Sequence, residues 1–516
     1  MSTAVRAPGL GPIIGHTTDT TCRVWIRGHD SGDDRTIGIA VLQRDGVSLP
    51  ATAQYFRLKR EHDRTGTADF KDLTPDTTYG VLVASLTLHT EDPLEVNSDD
   101  DVWTSLPAAA GWVGQLEKLG REEAGGSFTT FPAAELHSLS FVFGSCRYPG
   151  VLWQKKKADI IFRSIHERIH QAVGPRPRFF MMVGDQIYAD VLPKDWGLTV
   201  ADTEEEFRER YLSAFGAPNT RTLLAHTPTY MILDDHEIED NWVQGRIGSA
   251  AKRKLFHIAV QAYRSYQWSH SPRNFGELLY YDFDVGKFPF FVIDGRTQRI
   301  RDDDDYDLSD NHLLGRPAEG KPYKGQIDEL CDWLRAQQSA HGNRPKFVVT
   351  ASVFVPNAVR TVRGDRQKCE DDSWAAFPLT RRQLLDTIVQ HGVQNVVFLS
   401  GDIHCSNVAE LDFYRDGADS GIKAFSITSS AFFWPYPFAD GNPLDYVHDS
   451  HLENDDFDIG GGWQMRYRAR AFEQEDNFTQ VDIDWLGGKI TVTNYKRDGQ
   501  PTGEPPHVPQ VLRLAR

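Results

Sequence analysis

With 516 residues, of which 40% are hydrophobic and 25% charged, the chain has an ordinary globular composition and length enough for about two to four domains, which excludes a disordered, collagen-like or stapled-peptide character. Its 56 Lys+Arg against 73 Asp+Glu leave a formal net charge of −17, which disfavours long nucleic acid or an anionic membrane surface as the main partner.

Between about residues 10 and 105 the texture is short alternating segments separated by turn residues, among them TCRVWIRG, TIGIAVLQ and DLTPDTTYGVLVASLTL. Alternation with β-branched and aromatic residues predicts antiparallel strands in an all-β sandwich. Leu73, Pro75, Thr77, Tyr79, Val81 and Val83 resemble the strand signature of fibronectin type III domains. Residues 1–105 are therefore read as an N-terminal β-sandwich domain. The Gly-, Ala- and Glu-rich stretch 106–137 reads as a connector, 138–445 as a second domain, and 446–516 as a C-terminal segment with a β-hairpin packing on that domain.

From residue 138 the pattern becomes apolar runs that each end in a polar loop: SFVFGSC, RFFMMVGD, TYMILDD, FFVIDGR, KFVVTAS and NVVFLSGD. Continuous apolar strands are what a sheet covered on both faces requires. Helical patterns lie between them, as at Ile161, Ile165 and Ile169, at TEEEF with its acidic first turn, and at Leu384, Leu385 and Ile388. Strands alternating with helices predict a layered α/β domain. Near the end, FTQVDIDW and KITVTNY flank Leu486-Gly487-Gly488, a hairpin signal.

The strand ends carry the chemistry: Cys146; Asp185 and Tyr188 in GDQIY; Asp234, Asp235, His236, Glu237 and Asn241 in DDHEIEDN; Asp402 and His404 in GDIH. One Asp after a strand is commonly a turn or capping residue. Several such loops at the carboxyl ends of strands, where open α/β sheets place their sites, point instead to one polar centre.

In this order FGSC, GDQIY, DDHEIEDN and GDIH resemble the PhoD-like alkaline phosphatase family within the calcineurin-like metallophosphoesterases, and purple acid phosphatases share the GDxxY element. The similarity covers roughly residues 10 to 500 and includes Asp372, Ser373, Trp374, Arg382, Leu384 and Leu385. It implies a layered α/β fold: a metallophosphoesterase-like β-sandwich flanked by helices, with residues 138–445 as the metallophosphatase domain. It also implies metal-dependent hydrolysis of a small phosphate ester, with a metal-bound hydroxide as nucleophile. By resemblance Cys146, Asp185, Tyr188 and His404 would hold Fe³⁺, and Asp185, Asn241 and Asp402 would hold Ca²⁺. Asp235 stands where simpler relatives have the Asn of GNHE and is a second candidate for the same site. Mn²⁺, Mg²⁺ and Zn²⁺ stay open in place of either ion. A bridging carboxylate such as Asp185 suits a two-metal site, thiolate, phenolate and imidazole suit a transition metal, and oxygen donors suit a hard cation.

His236 is the candidate general acid, its alternative being a histidine that only orients a ligand. Arg296 is a candidate for facing a phosphate oxygen, the alternative being an ion pair with Asp294 or another carboxylate. The chain departs from calcineurin-like enzymes in opening on Gly144-Ser145-Cys146 and in lacking a strand-end histidine after Ala351-Ser352, which favours an oxygen-rich second site. Cys405 reads as packing, Asp302 to Asp305 as a solvated loop, and His448 and His451 as exposed. Phe432, Phe433, Trp434, Tyr436 and Phe438 are expected over the site mouth or along a substrate pocket.

Other functions compete with this reading. One is a phospholipase D-like phosphodiesterase of the same family, and another is a non-catalytic metal-binding or interaction protein that works through its sandwich. A cysteine-nucleophile phosphatase would need an Arg six residues after Cys146, and position 152 is Leu. The five cysteines, Cys22, Cys146, Cys331, Cys369 and Cys405, show no CxxC spacing and suggest a reducing compartment. Without an apolar leader or a run of ~18 apolar residues, no transmembrane segment is expected. Location is expected to be cytoplasmic, or secreted if a leader has been removed; oligomeric state is left open.

Overall fold

The computed structural model describes residues 2–30, 35–89, 106–133, 135–150, 154–170, 174–190, 200–301, 308–316, 324–357, 372–436, 450, 456–503 and 507–516. Asp302 to Asp305, Cys369, Phe438, His448 and His451 lie outside these residues.

The alternating N-terminal segments form two sheets. Ser2–Arg6, Thr78–His89, Arg35–Arg44 and Val47–Ser48 follow one another across the larger sheet, joined by Gln54–Arg57 and Gly125–Thr129. Leu10–Thr17, Cys22–Arg27 and Thr65–Phe70 make the smaller one. Ile14, Val24, Ile26, Ala40, Leu42, Val81 and Val83 share one core. Alternation places Ile37, Ile39, Val41, Leu82, Ala84 and Leu86 on the opposite face of the larger sheet. That face is covered as well, by Trp112 and Leu116. The stretch read as a connector thus does structural work, supplying this cover and the edge strand Gly125–Thr129 paired to Thr78–His89.

The remaining strands make two mixed sheets. The first runs in the order Thr229–Ile232, Phe180–Val183, Ser138–Arg147, Asn477–Asp484, Lys489–Lys496 and Gln510–Arg513, with Ser430–Phe433 also on Ser138–Arg147. The second runs Tyr281–Val285, Phe288–Val292, Lys346–Val349, Val396–Ser400, Ala418–Thr428, Ser406–Arg415, Trp463–Glu473 and Phe457–Gly460. The C-terminal strands are therefore members of these sheets. Asn477–Asp484 pairs antiparallel with Ser138–Arg147 itself.

The two sheets share a core of Phe141, Phe143, Met181, Val183, Ile232, Phe290, Val292, Phe347, Val349, Val397 and Leu399. Burying each such side chain contributes about 1.5–3 kcal/mol. Helix Gln154–His170 sets Ile161, Phe162 and Ile165 against Val142, Phe180 and Met182 on the outer face of the first sheet. Helices Gln326–His341 and Pro378–Gln390 cover the second with Leu330, Leu334, Leu384, Leu385 and Ile388. Both faces of every parallel strand are covered, hence the apolar runs. Helix Glu204–Phe215 starts as TEEEF predicts: Thr203 Oγ1 accepts from the Glu206 N–H at 3.3 Å.

Cys22, Cys146, Cys331 and Cys405 are buried free thiols. Among the described residues no helix is long and apolar enough to cross a membrane.

Candidate metal centre

Parallel pairing fixes where the polar loops emerge. Ser138–Arg147, Phe180–Val183 and Thr229–Ile232 run parallel and release Cys146, Asp185 and Asp234 to His236 at one edge. Phe288–Val292, Lys346–Val349 and Val396–Ser400 are likewise parallel, and they bring Arg296, Ser352 and Asp402 to the ends of the second sheet. The backbone turns sharply at these points. Cys146 (φ 58°), Asp185 (57°), Asn241 (54°), Asp402 (68°) and His404 (53°) all occupy the left-handed region, at a cost of about 1–3 kcal/mol each.

Gly184 allows one of these turns: its φ is +105°, and a Cβ there would lie 2.7 Å from Asp234 Cβ. Gly184→Ala is expected to lower the thermal unfolding midpoint and the metal content together. An unchanged melting curve would contradict this close approach.

Three groups of donor atoms, each within 4.8 Å of one another, lie at this edge: Cys146, Asp185 and His404; Asp185, Asp235 and His236; and Asp185, Asp234, Asp235 and Asp402. Asp185 belongs to all three. Tyr188 Oη lies 3.3 Å from Asp185 Oδ2 and 3.3 Å from His404 Nε2. Cys146 Sγ lies 3.4 Å from Asp185 Oδ2. Ser430 steadies this corner, with Oγ 3.1 Å from Cys146 Sγ and accepting the His404 N–H at 3.0 Å. Asn241 places its backbone N–H on Asp235 Oδ2 at 2.6 Å and its side-chain amide on Asp240 at 3.2 Å.

The electrostatics fit a cation. Asp185 Oδ1 and Asp234 Oδ2 are buried without a hydrogen-bond partner among the described residues. Burial, with the Asp235 and Asp234 charges, pushes the Asp185 carboxyl well above its usual range despite His236. Burial and the neighbouring Asp185 charge do the same to the Cys146 thiol and the Tyr188 phenol. Burial takes His404 down to about 3, leaving a neutral imidazole free to ligate. Carboxylate, thiolate and phenolate cannot all ionise in so small a volume unless positive charge accompanies them.

Glu237 locks the loops. Its carboxylate accepts backbone N–H groups from Asp185 at 3.2 Å, Gln186 at 2.7 Å and Asp234 at 2.9 Å.

His236 Nδ1 is 2.7 Å from Asp190 Oδ1. Burial alone would lower this imidazole, but Asp185, Asp235 and Asp190 hold it well above its usual range.

Arg296 is fully buried. It donates to Asp234 and, through both terminal nitrogens, to Asp372, and it lies 3.5 Å from Asp235. Its ion-pair partners are these carboxylates rather than Asp294, whose Oδ1 accepts the Arg296 backbone N–H at 3.1 Å. Arg299 completes the network by reaching Asp372 and, at 2.6 Å, Ser352 Oγ.

Trp434 stacks on His404 with ring centroids 3.7 Å apart, and Tyr148 and Tyr436 pack edge-on against it. Tyr436 is 52% exposed, so this wall borders solvent. Phe432 packs inward on Phe162 and Phe180. Cys405 is buried, with its thiol 3.7 Å from the Ser406 carbonyl and hydrogen-bonded to the Glu473 backbone.

Asp190, Arg299 and Ser430 thus work in a centre to which the sequence assigned them no role, while Glu237 and Asp372 were singled out in the sequence without the loop-holding and ion-pair roles the structure gives them. Asp190 had one signal, its place two residues beyond Tyr188 in the same loop.

Fold and centre together define a sheet-dominated α/β protein with a candidate metal site where its parallel strands end. The PhoD-like phosphatase family matches residues 151–435, and the chain belongs to that family. Alkaline phosphatase D of Bacillus subtilis (strain 168) is 22% identical over 316 residues, 54% of this chain and 48% of that protein; the chain spans about half the length of this curated relative. A solved structure described as "Structure of PhoD" superposes with a TM-score of 0.64 over 98% of this chain and 89% of that one, at 15% identity, and shares the fold.

Proposed function

We propose that this protein hydrolyses phosphate esters at a centre where Asp185, shared between the donor groups, would help to hold two cations. The observation that carries the reading is the membership of Asp185 in all three donor groups. Cys146, Tyr188 and His404 offer a thiol, a phenol and an imidazole on one side, a set suited to a transition metal such as Fe³⁺. Asp235 and Asp402, with Asn241 beside Asp235, offer oxygens on the other, suited to Ca²⁺, Mg²⁺ or Mn²⁺. Cations held there would supply Lewis-acid chemistry, polarising a phosphoryl oxygen and lowering the pKa of water.

The chain's own residues do the rest. Glu237 and Ser430 hold the donor loops still. Arg296 offsets the charge of Asp234 and Asp235 and so acts as a positioning residue. Asp190 orients His236, leaving the second ring nitrogen to protonate the departing oxygen. Trp434 and Tyr436 form one wall of the substrate approach. We read the N-terminal sheets as a fibronectin III-like unit to which no chemistry is assigned.

Elemental analysis of the purified protein, combined with turnover of an aryl phosphate and a bis-aryl phosphate, tests the reading. It expects iron and calcium, activity abolished by chelation, and a substrate preference that separates a monoesterase from a phospholipase D-like diesterase. A protein that binds metal and turns over neither ester would be the non-catalytic alternative. The ferric assignment carries a further expectation: a visible charge-transfer band that disappears in Tyr188→Phe. A colourless protein holding only zinc would overturn that assignment.

A further inference from the structure

Arg147 follows Cys146 and donates its backbone N–H to the Asp185 carbonyl at 2.8 Å. It is 4% exposed and its guanidinium lies 5.3 Å from the Phe162 ring centroid. Among the described residues that guanidinium has no hydrogen-bond or ion-pair partner, and its Nε is buried and unsatisfied. Asp159, the acid in whose field it sits, is already engaged: its carboxylate accepts from Asn219 at 2.9 Å and from Thr220 at 3.0 and 2.7 Å. A buried cation without an acceptor is costly, so its retention calls for an anion.

Arg147 lines a cleft of about 240 Å³ together with Lys155, Gln186, Tyr188, Glu209 and Arg210. Lys155 is exposed, in the first turn of helix Gln154–His170. Arg210 sits in the field of Glu206, Glu209 and Asp190. Arg147, Lys155 and Arg210 face Glu209 as the one carboxylate among the lining residues, in a chain whose net charge is −17. Part of the wall is the GDQIY loop, through Gln186, Ile187 and Tyr188, and the Tyr188 hydroxyl lies 3.3 Å from both Asp185 Oδ2 and His404 Nε2.

We propose that this cleft is a second phosphate-binding subsite, in which Arg147 and Lys155 take a phosphate group beside the metal centre. The choice of phosphate among anions rests on the phosphoesterase reading. The group has two sources, free phosphate released by hydrolysis or a second phosphate carried by the substrate.

Titrating the full-length, metal-loaded protein with inorganic phosphate in a calorimeter tests the proposal without turnover. Two phosphates per chain are expected, one of which survives in Asp185→Asn. Lys155→Glu is expected to weaken that survivor about tenfold, the effect of one charge-assisted contact. Arg147→Gln should weaken it more than Arg147→Lys, which keeps the charge. Because Lys155 is exposed, its variant remains informative should the Arg147 variants fail to fold.

A single phosphate that disappears in Asp185→Asn, or a survivor indifferent to Lys155→Glu, overturns the subsite. If aryl phosphate is still hydrolysed in that case, the proposed activity stands alone. A KM for propanediol bisphosphate that rises in Lys155→Glu about tenfold more than that for propyl phosphate assigns the subsite to the substrate's second phosphate. Equal effects on both, with phosphate binding weakened, assign it to the free ion.

Discussion

Asp185→Asn is expected to empty both cation positions and to lower kcat on an aryl phosphate by about 10³-fold or more. A cation at the phosphoryl group is worth several kcal/mol, and each 1.36 kcal/mol is tenfold in rate. Asp402→Asn is expected to lose one cation and keep measurable activity. The asymmetry follows from the donor groups: Asp185 stands in every one, Asp402 only in that with Asp234 and Asp235. No neighbour can replace Asp185, since its backbone is fixed at φ 57° and the Glu237 carboxylate pins its N–H. Metal content by elemental analysis beside kcat decides the matter, with near-ultraviolet circular dichroism to establish that each variant is folded. Equal metal content in wild type and Asp185→Asn would remove the bridging role.

The donors were legible in the sequence because they sit at the ends of apolar runs. A strand buried on both faces must be apolar throughout, so the first polar residues after it mark the sheet edge, as Asp185 does after Val183-Gly184 and Asp402 after Ser400-Gly401. The partners that hold the donors were not legible, because tertiary pairing sets their roles. Ser430 lies 284 positions from Cys146, and Asp372 lies 76 from Arg296. In sequence, Ser430 is one serine among several, and Asp372 belongs to the resembling D-S-W stretch with nothing beside it to name Arg296 as its partner. Arg296 illustrates the limit: its residue type suits both a phosphate and a carboxylate, and only its complete burial among Asp234, Asp235 and Asp372 separates the two. The C-terminal hairpin was recognisable from its Gly-Gly turn, but its insertion beside Ser138–Arg147 depends on non-local register.

His236→Ala is expected to lose about 10²–10⁴-fold on an alkyl phosphate ester and much less on a nitrophenyl ester, because an alkoxide must be protonated as it leaves whereas a nitrophenolate scarcely needs help. The geometry supports the acid role: Asp190 holds Nδ1 at 2.7 Å, and the ring lies against Tyr188 with centroids 4.2 Å apart. The same histidine offers a nitrogen within 4.8 Å of Asp185 and Asp235 oxygens, so metal content must be read alongside rate. An acid keeps both metals in place when it is removed, whereas a ligand does not. Asp190→Asn supplies an independent sign. Asp190 is one of the carboxylates that raise the imidazole, so removing its charge lowers the pH at which His236 loses its proton. The acid works only while protonated, and the alkaline limb of the alkyl-ester rate profile should therefore move to lower pH in Asp190→Asn. Loss of metal in His236→Ala, or equal slowing on both esters, would make His236 a ligand or an orienting residue and leave the proton to come from elsewhere.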